Sequence, residues 1–481
     1  MLTQTANGDS RPSFWPRVRE FAVPPSMIET ATARRQAGDW AGACAAAGVD
    51  VDLSLRSVAR AHGRELAARV RADLRHLAPD VLRWHMPRIA PDGLLRPGLT
   101  IALARYDARG RDDPYPVHLV VRTPPAWADA GQRISLALWD GSHAEASARR
   151  HPHPHPSRRF RLDLHRHLWD ARRAGELRVR SGADRPPADH RPALDPELPG
   201  TVPRDGCAVD RWAAEAGILL HAEGRPAGGT VAVRLGGGHR LALSLVPDGD
   251  GIRDGVGIRD GVGVGVGPPA MRIAAVSTHV SDSGLPVLPD VATWVLPDLE
   301  LIRGGLIGTD QLHPLVAPAL VSGCAPTRAP RVPDPTGGPR IVECRGARHR
   351  IGLADGVLAA LDHDPAEVRR EELLAALTGT PLPCLRAIDE AHRRPDCLTG
   401  VRERLDHGDI AGALAVVEGL LGPDAVLRGG PLRDELEAAA ERRITYGLFR
   451  AGLIDPTPER MRPDRHRPRP RRSQPRRSTS R

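Results

Sequence analysis

The chain has 481 residues and a mass of 51.8 kDa, too long for one compact core and suited to about three domains of ordinary size. Gly and Pro together number 96, an excess that points to many turns and linkers, while the 41% hydrophobic content still supplies real cores. All 68 basic residues are Arg and Asn7 is the one Asn, which excludes a pyridoxal Schiff base, a phosphate-loop Lys, a protein-kinase Lys and a Ser–Lys dyad.

In chain order, residues 1–24 read as a loose N-terminus ending at Pro24-Pro25. Helical spacing then marks a helical domain over 25–95, with segments at Met27–Ala37, Trp40–Ala47, Leu55–Leu77 and Asp80–Met86. Asp39 is a natural N-cap for the second of these, because its carboxylate can accept from free backbone donors. From Leu99 the pattern changes to short apolar runs, and a first α/β block is expected over 96–180. Leu99–Ala104, Val117–Val121 and Ile134–Trp139 predict strands. Alternation at Phe160, Leu162 and Leu164 predicts another strand, Leu168–Ala174 a helix and Leu177–Val179 an extended segment.

A linker at 181–206 leads to a second α/β block over 207–321. Its elements are a helix at Val209–Glu223, a hairpin of Thr230–Leu235 and His239–Val246 about Gly236-Gly237-Gly238, and a strand at Met271–Val276. A Gly-rich insertion at 248–267 carries the tandem repeat Gly-Ile-Arg-Asp-Gly-Val at 251–256 and 257–262. Its Asp248, Asp250 and Asp254 do not make a calcium loop, since Ile252 stands at a ligand position and no bidentate Glu follows. Short helices are expected at Leu299–Leu306 and Leu312–Leu320, then a second linker at 322–339.

The last block, 340–454, opens with a hairpin of Arg340–Cys344 and Arg350–Leu353, followed by Val357–Leu361. Five helices follow, at 365–377, 382–393, 400–405, 410–421 and 431–451. The whole is a mixed α/β architecture: a helical N-terminal segment, two small sheet-containing blocks, and a C-terminal hairpin with a helical bundle. Gly38-Asp39 with Ala41-Gly42-Ala43 and Gly408-Asp409 with Ala411-Gly412-Ala413 share the pattern Gly-Asp-x-Ala-Gly-Ala. Each stretch resembles one helical hairpin of a tetratricopeptide-type repeat, but no 34-residue period joins them. The resemblance implies two similar αα-turns, suited to offering partner-binding grooves.

Net charge is +9, of which the Arg/Pro-rich tail at 455–481 carries +7, leaving about +2 on the remaining 454 residues. The body is therefore no basic nucleic-acid face. The tail reads as disordered and offers at most weak, salt-dependent contact with phosphates. Aromatic residues are 3% of the chain, and the eight scattered Trp read as core fillers. Asp9 and Arg11 interrupt any N-terminal signal sequence, and the longest uncharged run, Gln311–Thr327, contains three prolines. The six cysteines have no local metal-ligand spacing, so reduced thiols and a cytoplasmic location are expected.

Two clusters are candidates for chemistry. His151, His153 and His155 alternate with Pro and are followed by His165 and His167. In a polyproline helix, successive histidines of the run lie about 6 Å apart and rotate by about 240°, so only weak opportunistic metal binding is expected. Asp362, His363 and Asp364 stand at a strand end and offer three ligand types to a divalent metal, with His349 and His392 the nearby suppliers. Asp364 before Pro365 is equally placed to cap a helix. The leading expectation is a scaffold or accessory subunit binding another protein, without cofactor. The alternatives are a metal-dependent hydrolase at Asp362/His363/Asp364 and weak nucleic-acid association through 455–481.

Overall fold

The computed structural model describes residues 14–107, 116–129, 131–141, 151–185, 202–203, 206–248, 270–278, 284–323 and 340–454, apart from 345, 356, 380, 394–396 and 424–425. The tandem repeat, the basic tail at 455–481, residues 1–13 and most of both expected linkers lie outside the described residues.

Mixed α and β structure runs through several small sheets. After α1 (Trp15–Phe21), α2 (Pro25–Gln36) and α3 (Trp40–Ala46) form the first αα-turn, where the Asp39 carboxylate accepts from Gly42 N at 2.8 Å. The chain then enters β1 (Val49–Val51), too short to reveal any alternation in sequence. The single helix expected over Leu55–Leu77 is two, α4 (Leu55–His62) and α5 (Arg64–His76). Gly63 separates them at φ +89°, a left-handed conformation that breaks the helical path. The short α6 (Pro79–His85) follows and is buried along its whole length.

A two-stranded ribbon, β2 (Arg88–Ile89) and β3 (Leu94–Leu95), precedes β4 (Thr100–Tyr106), β5 (Val117–Arg122) and β6 (Ile134–Trp139). These last three are antiparallel neighbours, and β1 adds in parallel to β6, giving the order β1-β6-β5-β4. Through β1, the stretch before residue 95 contributes a strand to the sheet formed by the strands after it.

The strand predicted at Phe160–Leu164 is instead a pair of tight 3-10 turns, Leu162–Leu164 and Arg166–Leu168. Phe160 and Leu162 are buried as the alternation implies, but among the described residues only one bridge, Arg161 to Ala102, joins the segment to β4, and its backbone turns on itself through Leu164 N to Arg161 O at 3.3 Å and His165 N to Leu162 O at 3.1 Å. No α-helix forms at Leu168–Ala174; a 3-10 turn at Ala174–Glu176 leads into α7 (Leu177–Ser181), helical where an extended segment was predicted.

The second sheet, β7 (Gly229–Gly236), β8 (His239–Pro247) and β9 (Met271–Ser277), is an antiparallel meander covered by α8 (Val209–Ala222). Beyond it come α9 (Asp290–Thr293), α10 (Pro297–Arg303) and α11 (Ala317–Leu320). Residues Leu296–Leu320 do not pack on this second sheet; they join the first apolar core, which runs from Phe14 to Leu177. Trp15, Trp84, Trp169 and Trp212 are among the largest fully buried side chains, in keeping with their reading as fillers.

The third sheet is antiparallel in the order β10 (Arg340–Cys344), β11 (Ala347–Ala354), β12 (Val357–Ala360). One face packs on α13 (Pro383–Arg393) and α15 (Ile410–Leu421), which follow α12 (Pro365–Thr378) and α14 (Leu398–His407) in this body. The long α16 (Pro431–Ala451) closes it and reaches back to the first sheet. There Tyr446 donates to Asp50, Arg450 pairs with Asp52 on the turn after β1, and Phe449 meets Trp127 edge-on at 5.3 Å. Among the described residues no helix is long and apolar enough to cross a membrane.

Candidate metal centre

The acidic strand end at Asp362–Asp364 separates into three roles. Asp362 is held by Arg350, which donates from Nη2 at 2.9 Å and from its backbone N at 2.9 Å. The hydrogen bond from the Arg350 guanidinium is the main reason its carboxyl lies at about 2. Asp364 caps α12, its carboxylate accepting from Ala366 N at 2.9 Å. His363 alone turns inward, and what it meets is sulfur.

Cys344 ends β10 and is buried at 1% exposure; Cys384 sits in the first turn of α13 at 3%. The Cys384 Sγ lies 3.5 Å from His363 Nε2, and the two sulfurs and one ring nitrogen all fall within 4.8 Å of one another. Among the described residues this is the one group that gathers three such ligand atoms. His349, across the strand pair from Val342, stacks on His363 with ring centroids 3.8 Å apart and planes 18° from parallel. Its Nδ1 is buried without a hydrogen-bond partner. Burial, followed by hydrogen bonding with Cys344, pushes the Cys384 thiol up to about 12.

Sequence spacing missed the cysteines because 40 positions separate them and only strand pairing plus helix packing joins them. The one available signal was positional: a Cys closing a strand and a Cys just inside a Pro-started helix, both in an apolar setting.

The histidine run is dispersed. His151 is a structural residue, with Nε2 2.9 Å from the Thr123 carbonyl and Nδ1 2.9 Å from the His153 carbonyl. His155 packs edge-on against Trp139 at 5.6 Å. His165 and His167 line a separate small pocket with Arg180, Arg211 and Glu215. Arg180 chelates Glu215 with two contacts of 2.6 Å and donates to His165 Nδ1 at 2.8 Å. Burial and then the neighbouring guanidinium of Arg180 hold both histidines well below their usual range. A metal cation placed there would face two guanidinium groups, so the charge pattern opposes it.

No protein family, curated protein or solved structure matches the chain.

Proposed function

We propose that the chain is an accessory subunit that binds another protein through α12, acting in the cytoplasm, where a reducing environment leaves its thiols available. The observation carrying this reading is the apolar face of α12. Leu373, Leu374 and Leu377 are 64%, 55% and 85% exposed, and Glu371 is the one buried residue of the helix. A 14-residue helix that turns three leucines to solvent is poorly explained by its own fold, since burying each leucine is worth roughly 1.5–3 kcal/mol. Their spacing at i, i+1 and i+4 suits insertion into an apolar groove of a partner protein. Arg369, Arg370 and Glu372 would supply the polar rim.

The test is size-exclusion chromatography with light scattering on the complex isolated from the native source. Replacing Leu373, Leu374 and Leu377 together by Ser is expected to abolish a stoichiometric heterocomplex while leaving the melting temperature within a few degrees of the parent. A parent chain that runs only as itself, or a heterocomplex unaffected by the triple substitution, rules the reading out.

A further inference from the structure

We propose that Cys344, Cys384 and His363 bind one zinc ion that pins the third sheet to α13. The separations of the ligand atoms allow one tetrahedral ion to reach all three. Bonds of about 2.3 Å to sulfur and about 2.0 Å to nitrogen at a tetrahedral angle place the two ligand atoms about 3.5 Å apart. The Cys384 Sγ–His363 Nε2 separation is 3.5 Å, and Cys344 Sγ lies within 4.8 Å of both atoms.

The donor set selects the metal class. Two thiolates and an imidazole are soft to borderline ligands, which favour zinc over magnesium, calcium or manganese. The charges close as well: Zn²⁺ with two thiolates and a neutral imidazole is neutral, so a largely buried site needs no further counter-ion. On binding, each thiol gives up its S–H proton to bulk solvent, and the two sulfur electron pairs enter bonds to the metal.

Each ligand comes from a different piece of the body: the end of β10, the turn between β12 and α12, and the start of α13. A single ion therefore joins three segments that local structure leaves separate. His349, stacked on His363 with centroids 3.8 Å apart, holds that imidazole in its plane. With three protein ligands the fourth tetrahedral position is left to a solvent-derived ligand.

The full chain, produced in zinc-replete medium and purified without chelator, is expected to carry one zinc per chain by elemental analysis. The content should fall at least tenfold in the Cys344→Ser/Cys384→Ser variant and stay unchanged in Asp362→Asn and in Asp364→Asn. Cobalt-loaded parent should show a thiolate-to-cobalt charge-transfer band that Cys384→Ser lacks. If the double variant fails to fold, the cobalt band on the parent and its removal by a chelator decide the matter. A reduced, zinc-supplied parent without stoichiometric metal overturns the proposal. So does zinc retained by the double variant, or a Cys344–Cys384 disulfide in chain alkylated before exposure to air. The Leu373/Leu374/Leu377 triple variant should keep its zinc, so this site and the partner-binding reading can fail independently.

Discussion

Four buried histidines of this protein, His85, His165, His167 and His407, are held neutral by burial and by nearby arginines, whereas His313 faces the buried Asp80 carboxylate at 3.0 Å. His407, 1% exposed at the end of α14, is pushed down to about 3, first by burial and then by the positive charges of Arg88 and Arg83. In the unfolded chain the same imidazole titrates near 6.5. Above that pH neither state holds the proton and His407 contributes nothing to the pH dependence. Between pH 6.5 and about 3 the unfolded chain binds a proton that the folded chain refuses, so stability is lost as pH falls. The limiting slope is about 1.4 kcal/mol per pH unit for each such histidine. His85, His165 and His167 lie in the same direction, each chiefly through burial. Urea unfolding of the full chain should therefore give a midpoint that declines steadily from pH 7 to pH 4.5. His407→Gln should show a shallower decline, and a flat midpoint across that range in the parent would refute the account.

At the scale of elements, the two αα-turns test how far sequence pattern reaches. Both were legible from Gly-Asp-x-Ala-Gly-Ala, and both are built alike: a left-handed Gly, then an Asp whose carboxylate caps the next helix through Gly42 N or Gly412 N. The surroundings of the two were not legible. A Cβ at Gly38 (φ +78°) would meet nothing within 4 Å, whereas one at Gly408 (φ +87°) would overlap the carbonyl oxygen of Gly131. Gly38→Ala should cost about 1 kcal/mol, the price of a left-handed Ala alone. Gly408→Ala should cost at least about 2 kcal/mol more, because the backbone at Gly131 has to move. Equal shifts of the urea midpoint for the two variants would show that the close approach carries no energy. The same division explains the rest of the comparison with sequence. Helices with caps and strands with turn signals were readable, while β1 was too short for a period, and Phe160–Leu164 keeps its buried face but closes into a 3-10 turn after a single bridge to β4. The Cys344/His363/Cys384 cluster depends on a strand register and a helix contact that no local window contains.

At the scale of the whole molecule, the first and last bodies are joined by a guanidinium without a carboxylate. Arg83 on α6 is 1% exposed; its Nε donates to the Ala22 carbonyl at 2.9 Å, its Nη2 to the His407 carbonyl at 2.8 Å, and its Nη1 to the Gln132 carbonyl. It thus bonds the end of α1, Gln132 just before β6 and the end of α14 at once, a span that Lys with one ammonium nitrogen could not fork across. Burial is the main cause that lowers its pKa to about 10, which still leaves it charged at neutral pH. Arg83→Met keeps much of the apolar stem but strands three carbonyl groups, each costing about 1–3 kcal/mol when left buried and unpaired. Removing the desolvated charge returns part of that loss, so a net destabilisation of about 3–5 kcal/mol is expected. The loss should fall on the junction first. The Arg17–Glu403 and Arg450–Asp52 pairs are partly solvated and too weak to hold α14 and α16 in place alone. Limited proteolysis of Arg83→Met should therefore release a fragment beginning near residue 340 under conditions that leave the parent intact, and urea unfolding should separate into two steps. A single step with an unchanged midpoint would mean that the apolar contact of Phe449 with Trp127 and its neighbours, not Arg83, couples the two ends of the chain.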